Sequence, residues 1–239
     1  MPAIDAENLH KAFGPQTILR GAYLTVARGE KVGLIGDNGS GKSTLARILA
    51  GLETADEGNV RVRRGLSVGY LAQEPELPPD LSAREVVELG LVGWRKAVDR
   101  HAELTALLAD QHHDDALLAE QAALDETIAH LGGWDRGHVA LDLLQRLDVR
   151  DPERAVGPRS GGERRRIALA QLLVAQPDVA ILDEPTNHLD ADTAGWLEGY
   201  LADDYPGAVI LVTHDRYFLE AIVDRILELD RGELTEYLG

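Results

Sequence analysis

Val179–Leu182 is apolar throughout, and Ala208–Thr213 is apolar up to its last residue. Unbroken runs of that length predict strands buried on both faces. Helical patterns surround them, over about Gly162–Ala175, Ala191–Ala202 and a short stretch from Arg216, and a further strand is predicted at Arg225–Asp230. Buried strands alternating with helices predict a parallel sheet covered on both faces. The first 71 residues carry a different pattern. Shorter apolar runs, Ala22–Ala27, Lys31–Ile35, Asn59–Arg63 and Ser67–Ala72, are punctuated by glycine and read as β-rich. One helix interrupts them at Lys42–Gly51, with Leu45, Ile48 and Leu49 on one face and Gly51 as its stop.

Between about Leu81 and Leu147 helix formers dominate, after prolines at 75, 78 and 79. Leu104, Leu107 and Leu108 recur at helical spacing, as do Leu117, Leu124, Ile128 and Leu131. The polar break Gln111-His112-His113-Asp114-Asp115 lies between the two sets, so the pattern predicts two antiparallel helices joined by a polar turn. The fold expected is α/β: one domain over 1–239, its core formed by 1–73 and 159–239. A helical subdomain at 74–158 interrupts that core and extends a hairpin arm at about 95–135.

Composition narrows what such a fold can do. The chain has 239 residues, of which 44% are hydrophobic, enough for one large core. It has no cysteine, which excludes disulfides and thiolate metal sites and fits a cytoplasmic setting. No apolar run approaches the ~18–20 residues that span a bilayer, and the N-terminus lacks a signal-peptide pattern, so no direct membrane insertion is expected. The formal charge of −17 disfavours contact with bare nucleic-acid phosphate, and no DNA-binding signal stands out.

The chemistry begins at Gly36-Asp37-Asn38-Gly39-Ser40-Gly41-Lys42-Ser43, which has the form G-x-x-x-x-G-K-[ST] with a strand before it and a helix after. Glycines let backbone N–H groups curl around phosphate oxygens, and the helix N-terminus adds partial positive charge. Lys42 reaches β- and γ-phosphates, and Ser43 offers a hydroxyl to Mg²⁺. Val179–Glu184 ends in two acids at the C-terminal edge of a buried strand, where ligands bind in such folds. Asp183 would orient Mg²⁺, and Glu184 could polarise an attacking water. Ser160-Gly161-Gly162-Glu163 opens a helix and reads either as a second anion site or as a plain N-cap. His214, Gln73 and Phe13 each allow a structural reading beside a functional one: a γ-phosphate contact, a Mg²⁺ or water ligand, and a ring stacked on a base.

In this order the motifs resemble those of the ABC ATPase family, over essentially the whole chain. The resemblance implies that Phe13 stacks on adenine and that 36–43, with Thr44 beside it, is the Walker A loop. It makes Gln73 the Q-loop glutamine and a Mg²⁺ ligand, Ser160–Glu163 the signature, Val179–Glu184 the Walker B strand and His214 the switch histidine. Glu184, His214 and Gln73 would form the catalytic set, with Ser43, Gln73 and Asp183 around Mg²⁺. Arg159 departs from the family, where leucine is usual. The string Asp183-Glu184-Pro185-Thr186-Asn187-His188-Leu189-Asp190 is similar to the F-class (ABC-F), as is the long helical insertion. Trp196-Leu197-Glu198 and His214–Phe218 resemble its Uup branch.

The F-class is soluble and acts on ribosomes, so ATP, Mg²⁺, a second ABC domain and the ribosome are the implied cofactors and partners. The second domain would come from the same longer chain or from a homodimer, and each ATP would lie between the Walker A loop of one domain and the signature of the other. F-class members carry two ABC domains, so this chain is expected to match the N-terminal one. The arm bears Arg95, Lys96 and Arg100 against nine acids between 95 and 135, which suits a basic protein surface or plain solvation better than rRNA. Three other readings stay open on these residues: the ATPase subunit of a membrane transporter, a nucleotide-gated binding module without turnover, and a P-loop kinase.

Overall fold

The computed structural model describes residues 2–110, 114–136 and 138–238. The chain forms two compact units, 1–76 with 176–239, and 77–175.

In the first unit, β1 (Pro2–Phe13) and β2 (Gln16–Ala27) form a hairpin, with β4 (Glu57–Val62) antiparallel on the other side of β1. The larger sheet contains β3 (Lys31–Ile35), β5 (Val68–Leu71), β6 (Val179–Asp183), β7 (Ala208–Val212), β8 (Arg225–Asp230) and β9 (Glu233–Leu238). Its order is β5-β6-β7-β3-β8-β9, parallel except for the antiparallel edge pair β8–β9. Every residue of β6 and β7 is buried, as their unbroken apolar runs require. Helix α1 (Lys42–Leu49) follows β3 and packs Leu45, Ala46, Ile48 and Leu49 into this core. At about 1.5–3 kcal/mol for each large apolar side chain, that face outweighs the intrinsic weakness of a two-turn helix.

The second unit begins with α2 (Ala83–Glu88), whose N-terminus is closed by a reciprocal capping box between Ser82 and Glu85. A 3-10 turn leads into α3 (Val92–Asp110); α4 (Asp115–His130), α5 (Val139–Arg146) and α6 (Gly161–Ala175) follow. The predicted pair of long helices is present as α3 and α4, antiparallel, with Leu104 and Ile128 buried between them. Arg100 grips Glu120 through two hydrogen bonds, 2.8 and 3.2 Å, and Gln121 donates to Thr105 at 2.9 Å. The turn residues Gln111, His112 and His113 lie outside the described residues. The sequence pattern merges α2 and α5 into the leucine-rich stretch, whereas the structure separates them as short helices packed with α6. That packing places α6 in the helical unit, although the sequence sets the return to the core at 159.

In the first unit the helix expected at Ala191–Ala202 is α7 (Ala191–Gly199), which runs on as a π-helical turn through Asp204. Trp196 stacks on Tyr200 at this junction, with centroids 5.5 Å apart. Helix α8 (Arg216–Ile222) then leads to β8.

Candidate active site

Parallel pairing brings the C-terminal ends of β3, β6 and β7 to one edge of the sheet. The glycine loop leaves from β3, the acid pair from β6, and Thr213 with His214 from β7. Leu71 pairs with Leu182, so Gln73, exposed just beyond β5, leaves the sheet at the level of the acids.

Two loop glycines are dictated by space. A Cβ on Gly36 would lie 2.3 Å from the Leu229 carbonyl oxygen, and one on Gly41 would lie 2.3 Å from Ile18 Cγ2. Both also have positive φ, 147° and 107°. Gly41 is the N-cap of α1, so the helix begins at Lys42 with its unpaired N–H groups at the loop. Lys42 Nζ donates to the carbonyls of Gly36 and Asp37, each at 2.8 Å. Its ammonium therefore lies across the mouth of the loop on acceptors that a phosphate oxygen can replace. Ser40 Oγ is buried without a hydrogen-bond partner. Asp37, Asn38, Gly39 and Ser43 are exposed, and Thr44 is half-buried. An open loop with a parked cation and an unsatisfied hydroxyl fits a polyanionic tail.

Asp183 is 2% exposed and accepts from the Tyr70 hydroxyl at 3.3 Å. Glu184 sits at φ 54°, a left-handed conformation that costs a residue with a side chain of order 1 kcal/mol. Its N–H donates to Val212 O at 2.7 Å, and its carbonyl accepts from Asn187 N at 3.2 Å. These bonds hold the turn. Thr213 Oγ1 donates to Glu184 Oε2 at 3.2 Å, and His214 Nδ1 lies 3.0 Å from Glu184 Oε1. With a proton on Nδ1, the ring leaves Nε2 toward solvent.

The hydrogen bond to Glu184 raises the pKa of His214, helped by the charge of that carboxylate and opposed by burial and by Lys42. A raised value means the cationic pair stabilises the fold below the ordinary pKa near 6.5, and this contribution is lost as pH rises through the folded-state value. The ring is 75% exposed, so screening keeps the effect on stability small. The titration itself is the sharper readout. By NMR, His214 is expected to titrate above 6.5 and to fall back toward it in Glu184→Gln; an unmoved titration would remove Glu184 as the cause.

Ser160–Glu163 belong to the second unit. Ser160 N donates to Glu163 Oε2 at 3.1 Å, Ser160 Oγ donates to the same oxygen at 3.0 Å, and Glu163 N donates back to Ser160 Oγ at 3.2 Å. This capping box lowers the Glu163 pKa, chiefly through the Ser160 backbone N–H. Ser160 and Gly161 are exposed, and Gly162 and Glu163 are half-buried.

Arg159 takes a role its sequence position does not reveal. Its side chain is fully buried, and it donates to the carbonyls of Arg150 (3.0 Å), Asp151 and Arg154 (3.0 Å) and to Glu163 Oε1 at 3.2 Å. The guanidinium replaces apolar packing with a polar tie between the 150–154 loop and α6. Arg159→Ala is expected to cost about 2 kcal/mol by stranding these acceptors, read as a lower urea midpoint. A midpoint unchanged from the parent would show that water replaces the tie at no cost.

Phe13 is 50% exposed at the end of the β1–β2 hairpin, five residues before the Ile18 that underlies Gly41. Sequence reasoning missed Tyr70, Thr213 and Lys11, which contact Asp183, Glu184 and Phe13. Sequence position alone, Lys11 two residues from Phe13 and Thr213 next to His214, does not reveal these contacts.

Sheet order, loop and strand-end acids together define a P-loop nucleotide-binding domain of the ABC type. The sequence pattern of the family described as ABC transporter matches residues 19–187, and the chain belongs to that family. It is 41% identical over 243 residues to YfmR of Bacillus subtilis, an ABC transporter ATP-binding protein described as uncharacterized; the match covers 100% of this chain and 38% of YfmR. It is 46% identical over 223 residues to the energy-dependent translational throttle protein EttA of Haemophilus influenzae, with 93% and 40% covered. The chain thus spans about two fifths of the length of these relatives. EttA is an F-class protein, which bears out the F-class resemblance. Among solved structures, a dimeric ATP-binding cassette in a post-hydrolysis state with ADP and Pi superposes with a TM-score of 0.68 at 24% identity, covering 98% of both chains. No helix among the described residues is long and apolar enough to cross a membrane.

Proposed function

We propose that the chain is an ATP-hydrolysing domain of a cytoplasmic F-class protein that acts on the ribosome and works by ATP-dependent pairing with a second such domain. The observation that carries the reading is the Glu184 carboxylate, held from both oxygens at the sheet edge that also bears the Lys42 loop. Backbone N–H groups of 36–44 and the Lys42 ammonium bind the triphosphate, and Phe13 stacks on the base. Ser43, Asp183 and Gln73 hold Mg²⁺, which when bound neutralises phosphate charge. Glu184 takes a proton from the attacking water, and His214 offers its outward nitrogen to the γ-phosphate. Ser160–Glu163 of a partner domain close the site, the Ser160 hydroxyl turning from Glu163 to phosphate. The translational role rests on the likeness to EttA. Hydrolysis then separates the pair, because the γ-phosphate that both domains bind is lost.

The test is size-exclusion chromatography of Glu184→Gln with and without ATP and Mg²⁺. A dimer that needs ATP is expected; a monomer at every attainable ATP concentration rejects pairing through this chain alone.

A further inference from the structure

Lys11 and Phe13 lie two residues apart near the end of β1, where their side chains meet. Lys11 is only 7% exposed, and a buried ammonium persists only with partners. Nζ donates to Glu53 Oε1 at 2.8 Å and to Thr54 O at 2.7 Å, with Asp56 Oδ1 at 3.5 Å. Asp56 binds the strand on either side of Lys11: its Oδ2 accepts from Ala12 N at 2.7 Å, and its N–H donates to His10 O at 2.8 Å. All three partners lie in the loop that follows α1, the helix that begins with Lys42. The clamped ammonium also lies over the Phe13 ring, 5.1 Å from its centroid.

We propose that Lys11 is a positioning residue for base recognition, fixing the Phe13 ring from one side and presenting its other side to the purine of the nucleotide. The inference rests on the reading of Phe13 as the stacking ring. Two physical effects combine. A cation over a ring holds its plane by attraction to the π-face. It also draws electron density from the ring and favours stacking with an electron-rich purine on the opposite face. Because Lys11 is tied to the loop after α1, the ring is referenced to the same helix that carries the phosphate-binding lysine. Base and triphosphate thus meet one frame.

A probe with no base separates positioning from general loss of structure. Calorimetric affinities for ATP and for inorganic tripolyphosphate, each with Mg²⁺, are compared in Phe13→Ala, Lys11→Met, Lys11→Arg and the Phe13→Ala/Lys11→Met pair. Phe13→Ala is expected to weaken ATP about tenfold, as loss of one stacked base does. Lys11→Met is expected to weaken ATP roughly three- to tenfold with tripolyphosphate unchanged, on the scale of a partly buried cation–π contact. Lys11→Arg restores ATP affinity, and Lys11→Met has no further effect once Phe13 is gone. If Phe13→Ala leaves ATP affinity intact, the stacking reading fails, and the inference with it. If Phe13→Ala weakens ATP but Lys11→Met does not, or if Lys11→Met weakens ATP and tripolyphosphate equally, the inference alone is overturned. Should Lys11→Met not fold, Glu53→Gln loosens the clamp without removing the cation. A selective loss of ATP affinity of about twofold or more there supports the inference, on the scale of one weakened charged hydrogen bond, and no loss overturns it.

Discussion

Lys42→Ala is expected to lower ATP affinity roughly a thousandfold while leaving the fold intact. Lys42 Nζ now donates two 2.8 Å hydrogen bonds to loop carbonyls. On binding, these are exchanged for charge-assisted bonds to phosphate oxygens, worth about 1.5–3 kcal/mol each. The carbonyl bonds given up are comparable as hydrogen bonds, so the net gain is the attraction of opposite charges, about 4 kcal/mol for unit charges roughly 4 Å apart at an effective dielectric of about 20, and each 1.4 kcal/mol is a factor of ten. The loop N–H groups and the start of α1 remain, but a helix terminus contributes only about 0.3–1 kcal/mol at a surface site. Long-range attraction cannot compensate in a chain of formal charge −17, whose field repels a triphosphate. Stability is expected to hold because the residues of α1 that pack into the core are Leu45, Ala46, Ile48 and Leu49, and alanine is the best helix former. Calorimetry beside a urea titration checks both halves. An affinity within threefold of the parent overturns the phosphate-loop assignment.

What the sequence made legible were features with a local cause. Strands β6 and β7 are buried on both faces and so have to be apolar at every position. The loop at 36–43 has to carry glycines where a Cβ would strike the Leu229 carbonyl or Ile18. The helical hairpin announces itself by leucine spacing. What escaped were features decided by partners far along the chain. Strand β9 is an edge strand, Glu233–Leu238, whose polar and apolar residues break the alternation that would mark it, and the backbone of β8 selects its pairing. Strand β1 mixes buried and exposed polar residues, because Lys11 is neutralised by a loop more than forty residues away. Tyr70 meets Asp183 because β5 and β6 are in one particular register, which no local pattern encodes. Arg159 looks like a fault in the motif until the loop carbonyls it fills are seen. The acids and the glycine loop could be named from their neighbours; the residues that hold them in place could not.

Glu184→Gln is expected to slow hydrolysis about 10²- to 10⁴-fold with ATP affinity changed less than threefold, the range that loss of a general base produces. The amide keeps the length and shape of the carboxylate, so the left-handed turn at Glu184 and its bond to Val212 O have no reason to move. The amide oxygen still accepts from Thr213, but the group can no longer take a proton from water. Nor can it hold His214 as a cation, so the downward shift of the His214 titration reports in the same variant that the contact was broken at the intended place. Binding survives because its energy comes from the loop and Lys42. ATP bound but uncleaved then keeps both halves of a composite site engaged, so slow turnover and persistent ATP-dependent pairing should arrive together. Single-turnover assays with labelled ATP measure the first, and chromatography the second. Turnover above a tenth of the parent rate, with the His214 shift lost as expected, would show that the carboxylate only orients the histidine and that the water is activated elsewhere.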